Sequence, residues 1–235
     1  MRPDVETLIV GAGFSGLGAA IMLDRAGLGD YLIIEAADGV GGTWYWNTYP
    51  GIAVDIPSFS YQFSFEQSPD WSRTSAPGAE LRAYAEHCAD KYQVRSRIRF
   101  GTRVLSAGFD EPTGLWQVHL DSGETLTTRF LLNASGALTI PNLPDIAGVD
   151  TFAGVTMHTA RWDHDQDLTG KRVAIIGTGA SAVQVIPEIA PTVRSLTVFQ
   201  RTPIWCFPKF DVPLSRAART AMRLPGGKSL QRLLS

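Results

Sequence analysis

At 235 residues the chain is long enough for one or two domains, each with its own hydrophobic core. Apolar residues make up 44% and charged residues 19%, which excludes a disordered or fibrous protein. Lys and Arg total 21 against 23 Asp and Glu, so no net basic field marks a nucleic-acid binder; the two cysteines, Cys88 and Cys206, form no CxxC, which argues against a disulfide scaffold or a zinc site.

The first apolar run, Thr7–Val10, leads straight into glycines and is too short for a signal peptide. No run reaches membrane-spanning length, so a reducing cytoplasm is the expected setting. Residues 6–10 read as a buried strand. GAGFSG follows, and Leu17, Ala20, Ile21 and Leu23 then mark one face of a helix ending at Gly27. YLIIEA is a second strand, ending at Glu35. Strand, turn, helix and strand form the unit that doubly wound α/β folds repeat, with parallel strands and a right-handed crossover.

Residues 38–75 are aromatic and glycine-rich with weak periodicity, and predict a long ordered loop region. The stretch 78–92 predicts a helix with Leu81, Tyr84, Ala85 and Cys88 on one face. Strands are expected over 98–105, 115–120 and 124–132, the last two joined as a hairpin by DSGE at 121–124. NASGALTIPNLPDI, 133–146, is turn-rich. Then KRVAIIG, GTGASAVQVIPEIA and SLTVFQR repeat strand, turn and helix, and strand, with a kink expected at Pro187. The register repeats too: Glu35 stands 24 positions after Gly11, and Arg201 stands 24 after Gly177. A mononucleotide-binding half needs βαβαβ, and only one βαβ fits here, so the second domain is read as truncated.

The expected fold is therefore α/β with two Rossmann-like dinucleotide-binding domains. The first covers 1–145, a linker covers 146–170, and the second opens over 171–235 with the beginning of a helical insertion. From Val212 onward the sequence carries Arg216, Arg219, Arg223, Lys228 and Arg232 and no acidic residue. They read as a solvated helix face broken by PGGK at 225–228, with contact to lipid or a partner as the alternative.

The two glycine turns carry the chemistry. Gly11 permits a tight turn, Gly13 lets a pyrophosphate approach the backbone, and Gly16 lets helix and strand pack closely. Ser15 adds a hydroxyl donor. Glu35 accepts from ribose hydroxyls and repels a 2′-phosphate. In the second turn Gly177, Thr178, Gly179, Ala180 and Ser181 repeat the pattern, with Ala182 where the third glycine would stand. Its strand ends in Gln200–Arg201–Thr202, where a guanidinium suits a 2′-phosphate. Opposite charge preferences imply two nucleotides: FAD held at the first site, and NADPH exchanging at the second and passing hydride to the flavin.

GVGGTWYWNTYPG at 39–51 and FAGVTMHTARWD at 152–163 resemble the class B flavoprotein monooxygenases, in particular the Baeyer–Villiger monooxygenases. Their fingerprint is FxGxxxHTxxW followed by Pro or Asp, and Phe152, Gly154, His158, Thr159, Trp162 and Asp163 match every fixed position. The resemblance runs from about residue 5 to residue 210. It implies use of NADPH and O2 to insert one oxygen next to a ketone carbonyl through a C4a-peroxyflavin, giving an ester or lactone. It places Gly11, Gly13, Ser15, Gly16, Glu35, Thr43, Trp44, Asp55 and Tyr61 around FAD, with Val104 as a backbone contact to adenine. It places Thr178–Gln184, Arg201 and Thr202 around NADPH. Asp55 is implied to support a catalytic arginine farther along than this sequence extends. YPGIAVD lacks the Arg–Cys that many members carry just before that aspartate, which bears on substrate range. Trp44, Trp46, Tyr49 and Phe59 are expected to form a water-excluding aromatic surround.

The resemblance gives His158 a role in coupling NADPH binding to domain position, with a structural role as the alternative, and leaves Trp162 to pack the linker. Oxygenation of an amine or thioether is the competing activity. An inactive nucleotide-binding fragment is the non-enzymatic reading, and a disulfide reductase lacks its CxxC. Monomer and homodimer are both open.

Overall fold

A computed structural model describes residues 2–224 and residue 227. Contacts divide the chain into two compact units that do not follow chain order: 1–46 with 81–139, and 47–80 with 140–235. The loop region 47–80 thus groups with the second nucleotide motif rather than with the first.

The first unit is a six-stranded mixed sheet. Its strands are β1 (Val5–Val10), β2 (Tyr31–Ile34), β3 (Ile98–Arg99), β4 (Val104–Asp110), β5 (Leu115–Leu120) and β6 (Thr125–Asn133), in the order β3-β2-β1-β6-β5-β4. The strands β3, β2, β1 and β6 run parallel, and β5 and β4 complete an antiparallel meander. Leu8 pairs with Leu32 on one side and Leu131 on the other. Leu8 and Ile9 are fully buried, and each such side chain contributes about 2 kcal/mol of transfer free energy. Val5, Leu8, Ile34, Val118, Leu120 and Leu126 form one core cluster.

Helix α1 (Phe14–Arg25) buries Gly16, Leu17, Ala20 and Ile21, the i, i+1, i+4, i+5 stripe of a single face. It stops where Gly27 takes φ +74 and Leu28 N–H returns to the Leu23 carbonyl, a left-handed terminator that glycine adopts at little cost. Next come a short helix α2 (Thr43–Trp46) and α3 (Gly78–Lys91). The predicted face of α3 is buried: Leu81, Tyr84, Ala85 and Cys88.

The single strand expected over 98–105 is two. Gly101 at φ +58 breaks it, and β3 and β4 stand at opposite edges of the sheet. An apolar alternation continued across that glycine, but the chain leaves one edge and rejoins the sheet at the other. The DSGE hairpin forms as read, with Gly123 at φ +86 and Leu120 N–H donating to the Glu124 carbonyl.

In the second unit β7 (Arg172–Ile176) and β8 (Ser195–Phe199) are parallel and joined by α4 (Ala180–Ile189). The helix continues past Pro187 to Ile189. Val173, Ile175 and Leu196 pack with Val185, Ile189, Tyr49 and Trp162. The segment 47–80 has few regular elements of its own after α2. It hangs instead on Ser58, whose Oγ donates to the carbonyls of Arg73 and Thr74 and accepts from Ala76 N–H.

A second tie is Asp211. It accepts from Arg73 Nε at 2.7 Å and from Ser75 N–H at 3.1 Å. Burial draws the Asp211 carboxyl upward, but the Arg73 and Ser75 hydrogen bonds outweigh it and hold it below the ordinary carboxylate value. Of the basic run, helix α5 (Arg216–Arg223) is described, whereas Lys228 and Arg232 lie outside the described residues. Among the described residues no helix is long and apolar enough to cross a membrane, and no cluster of His, Cys, Asp and Glu could hold a metal ion.

Candidate functional site

In the first unit, β1 delivers Gly11 at φ +100, and a Cβ there would stand 2.6 Å from the Ala134 carbonyl oxygen. A Cβ on Gly16 would stand 1.9 Å from the Gly11 carbonyl oxygen, so close strand–helix contact is what requires this glycine. Gly13 is the N-cap of α1, and no side chain caps that turn. The first helical N–H groups therefore face the place where a phosphate would lie.

Sequence reasoning missed the roof of this turn. Gly41 N–H donates to the Ala12 carbonyl at 3.0 Å, and Gly42, at φ +57, would put a Cβ 2.9 Å from Gly13 Cα. Two consecutive glycines after a strand–turn–helix–strand unit were the available signal. Thr43 and Trp44 then open α2, with Trp44 buried.

Glu35 is buried at the end of β2. Its Oε2 accepts from Ala12 N–H at 2.6 Å and its Oε1 from Ala37 N–H at 2.7 Å. Charge-assisted bonds to fixed backbone donors hold the carboxylate in place. Each oxygen retains acceptor capacity for a ribose hydroxyl. Thr102 N–H donates to the Glu35 carbonyl, and Val104 starts β4 two residues on. Gly11, Gly13, Gly16, Glu35 and the Gly41–Gly42 roof together fit the ribose and pyrophosphate of a nucleotide without 2′-phosphate.

In the second unit Gly177 takes φ +106 and Gly179 is the uncapped N-cap of α4. A Cβ on either would meet nothing within 4 Å. Thr178 Oγ1 accepts from Gln200 Nε2 at 3.2 Å, which ties the end of β8 to the glycine turn. Ala180 and Ser181 open the helix, and Arg201 and Thr202 follow Gln200 in the open. This open turn beside an exposed guanidinium fits a phosphorylated nucleotide. Gln184 also turns toward protein: its carboxamide oxygen accepts from Ala53 N–H at 2.8 Å.

Asp55 and Tyr61 belong to the 47–80 segment of this second unit; Asp55 is exposed and Tyr61 half-buried. The four expected surround aromatics are divided: Trp44 and Trp46 fall in the first unit, Tyr49 and Phe59 in the second. Tyr49 goes into the core beside Val185 and Ile189.

In the linker, His158 caps a short 3-10 turn over Thr159–Arg161 by accepting from Ala160 N–H at Nδ1, 3.0 Å away, which leaves the ring proton on Nε2. The ring of Phe152 lies over Gly154, where a Cβ would be 2.5 Å from it. Trp162 packs against the second core, and Asp163 accepts from Asp165 N–H at 3.0 Å. Five fingerprint positions are thus accounted for by local geometry.

Two uncapped glycine turns, each between parallel strands and followed by a helix, define an architecture of two dinucleotide-binding units. A family model described as pyridine nucleotide-disulphide oxidoreductase matches residues 8–225. A Baeyer–Villiger monooxygenase of Streptomyces coelicolor is 47% identical over 229 residues, covering 97% of this chain and 44% of that protein. The crystal structure of OTEMO in complex with FAD and NADP superposes with a TM-score of 0.91 at 39% identity, covering 100% of this chain and 45% of that one. Cyclohexanone monooxygenase from Rhodococcus sp. Phi1, bound to NADP+, gives 0.86 at 40% identity, over 94% and 43% of the two chains. The chain belongs to the pyridine nucleotide-disulphide oxidoreductase family, on its class B flavoprotein monooxygenase branch, the Baeyer–Villiger monooxygenases. It spans less than half the length of these relatives. The family description brings no dithiol relay with it, since Cys88 is a buried free thiol and Cys206 an exposed one.

Proposed function

We propose that this chain supplies the dinucleotide-binding part of a Baeyer–Villiger-type monooxygenase, which uses NADPH and O2 to insert one oxygen next to a ketone carbonyl, giving an ester or lactone. One observation carries the reading. At matched strand ends, the first site offers a buried carboxylate locked by Ala12 and Ala37 N–H, and the second an exposed guanidinium at Arg201.

Bound FAD would supply hydride acceptance and oxygen activation; the residues here bind and orient. Gly11, Gly13, Ser15 and Gly16 would hold its pyrophosphate and Glu35 its ribose, with Thr43, Trp44, Asp55, Tyr61 and Val104 completing the contact set. Gly177, Thr178, Gly179, Ala180 and Ser181 would line the NADPH site, with the Gln184 carboxamide turned to Ala53 N–H beside it, and Arg201 and Thr202 would hold the 2′-phosphate. His158 is read as a coupling residue: its grip on Ala160 N–H would tie the 3-10 turn to linker position. Asp55 would orient a catalytic arginine from the remainder of a longer protein.

The low coverage of the relatives supports reading the second unit as the opening of a larger nicotinamide-nucleotide domain. A cytoplasmic setting is part of the same proposal, and the free thiols of Cys88 and Cys206 are compatible with it.

The test is product analysis with the flavin-loaded protein, NADPH and O2, offering a cyclic ketone and a thioether in parallel. Lactone as the main product is expected. Sulfoxide alone would assign the amine- and thioether-oxygenating activity. Colourless protein without NADPH oxidation would leave a nucleotide-binding fragment.

A further inference from the structure

The segment 47–80 carries Asp55 and Tyr61, both assigned above to the flavin, yet it folds with the second nucleotide unit. Its opening residues meet α4 at three points. Tyr49 fills the cluster of Val185 and Ile189. Gly51, at φ +78, lies so close that a Cβ would stand 2.7 Å from the Gln184 carbonyl oxygen and 2.7 Å from Glu188 Cγ. Ala53 N–H donates to Gln184 Oε1 at 2.8 Å. On its other side Ala53 pairs with Pro77 in a single antiparallel bridge, and Val54 N–H donates to the Ala76 carbonyl at 3.0 Å. Asp55 follows two residues after Ala53, outside any helix or strand. A segment with so little regular backbone pairing takes its position from such side-chain holds.

Gln184 is one turn into α4, four residues after Ala180 at its head. The helix that would receive a nucleotide at its first turn therefore grips the Asp55 segment from its second. We propose that Gln184 is a positioning residue, whose carboxamide oxygen on Ala53 N–H couples occupation of the 177–181 turn to the placement of Asp55. The proposal rests on reading that turn as the nicotinamide-nucleotide site. It assigns the Gln184 side chain to Ala53 rather than to the nucleotide, and it explains why a glycine stands at 51: any larger residue would push the segment off the helix.

Hydrogen exchange on the FAD-loaded protein, with NADP+ as the probe, tests it. In the parent protein NADP+ should slow amide exchange at 177–183 and also at 49–56. Gln184→Met keeps the packing and removes the acceptor. It should make the Ala53 amide exchange about tenfold faster and abolish the NADP+ effect at 49–56 while keeping it at 177–183. Flavin reduction at saturating NADPH should fall on the order of tenfold, with the NADPH Kd changed less than about twofold. Gln184→Glu keeps an oxygen for Ala53 and should restore the slowing at 49–56.

Persistence of the NADP+ effect at 49–56 in Gln184→Met would overturn the proposal. So would a Kd rise that accounts for the whole loss, which would make Gln184 a direct nucleotide ligand, or a uniform loss of protection along the chain, which would make it structural only. Absence of NADP+ protection at 177–183 in the parent would be a different failure, removing the nucleotide assignment and the coupling together.

Discussion

The two glycine turns follow one course from strand to helix, yet protein surrounds them differently. At the first, the Ala134 carbonyl presses on Gly11, the Gly11 carbonyl presses on Gly16, and Gly41 and Gly42 lie over Gly13. At the second, a Cβ on Gly177 or Gly179 would meet nothing within 4 Å, and a buried Ala182 occupies the place of the third glycine. The Glu35 carboxylate at the first strand end is buried and already paired with two backbone N–H groups, while the Arg201 cation at the second is exposed. An enclosed, preorganised turn suits a nucleotide that stays, because its donors and acceptors need no rearrangement and dissociation must reopen the roof. The same local motif thus meets different surroundings among the described residues: β6 stands beside β1 and leads into the Ala134 carbonyl against Gly11, whereas β7 has only β8 beside it.

Substitutions can break or sharpen that contrast. The largest effect is expected for Gly16→Ala, whose Cβ has no room against the Gly11 carbonyl. A loss of about 3 kcal/mol or more in unfolding free energy is expected, with loss of flavin retention, measured by denaturant titration. Next comes Glu35→Gln, which turns an amide N–H₂ toward either Ala12 or Ala37 N–H. A buried donor left unmatched costs about 1–3 kcal/mol, and the flavin-to-protein ratio after gel filtration should fall while the second site still binds NADP+. Arg201→Ala should raise the NADPH KM about tenfold and leave the NADH KM nearly unchanged; steady-state kinetics with both coenzymes checks this, and equal effects would remove the 2′-phosphate assignment. The smallest effect on the fold is expected for Gly179→Ala, less than about 1 kcal/mol because its Cβ meets nothing. Its cost should appear instead as weaker NADP+ binding by calorimetry. A Gly179→Ala protein as unstable as Gly16→Ala would erase the distinction between enclosed and open turns.

Much of the site was legible because it is local. The spacing of Gly11, Gly13 and Gly16 after an apolar run, and a carboxylate at the end of the next strand, act through contacts within one βαβ unit. The repeat of that spacing at Gly177 and Arg201 made the second unit equally readable, as did the linker fingerprint from Phe152 to Asp163. What escaped was set by contacts distant in sequence. Gly41 and Gly42 roof the first turn from beyond β2, and Gln184 meets Ala53 across 131 positions. Tyr49 gave no sign that it would enter the core of α4 rather than an aromatic surround.

The sequence by itself determined the βαβ units, their glycine turns and the charge at each strand end, since each is a matter of near-neighbour sterics and charge, while the branch of the family was legible only through the resemblance of its fingerprint. Only the tertiary structure decided that β6 returns parallel beside β1, that the run from Ile98 divides between two sheet edges, and that residues 47–80 fold with the second nucleotide unit. The reason is physical. Strand pairing and loop docking are settled by which apolar faces and unpaired backbone groups find partners far along the chain, and a local pattern of residues does not encode where those partners lie.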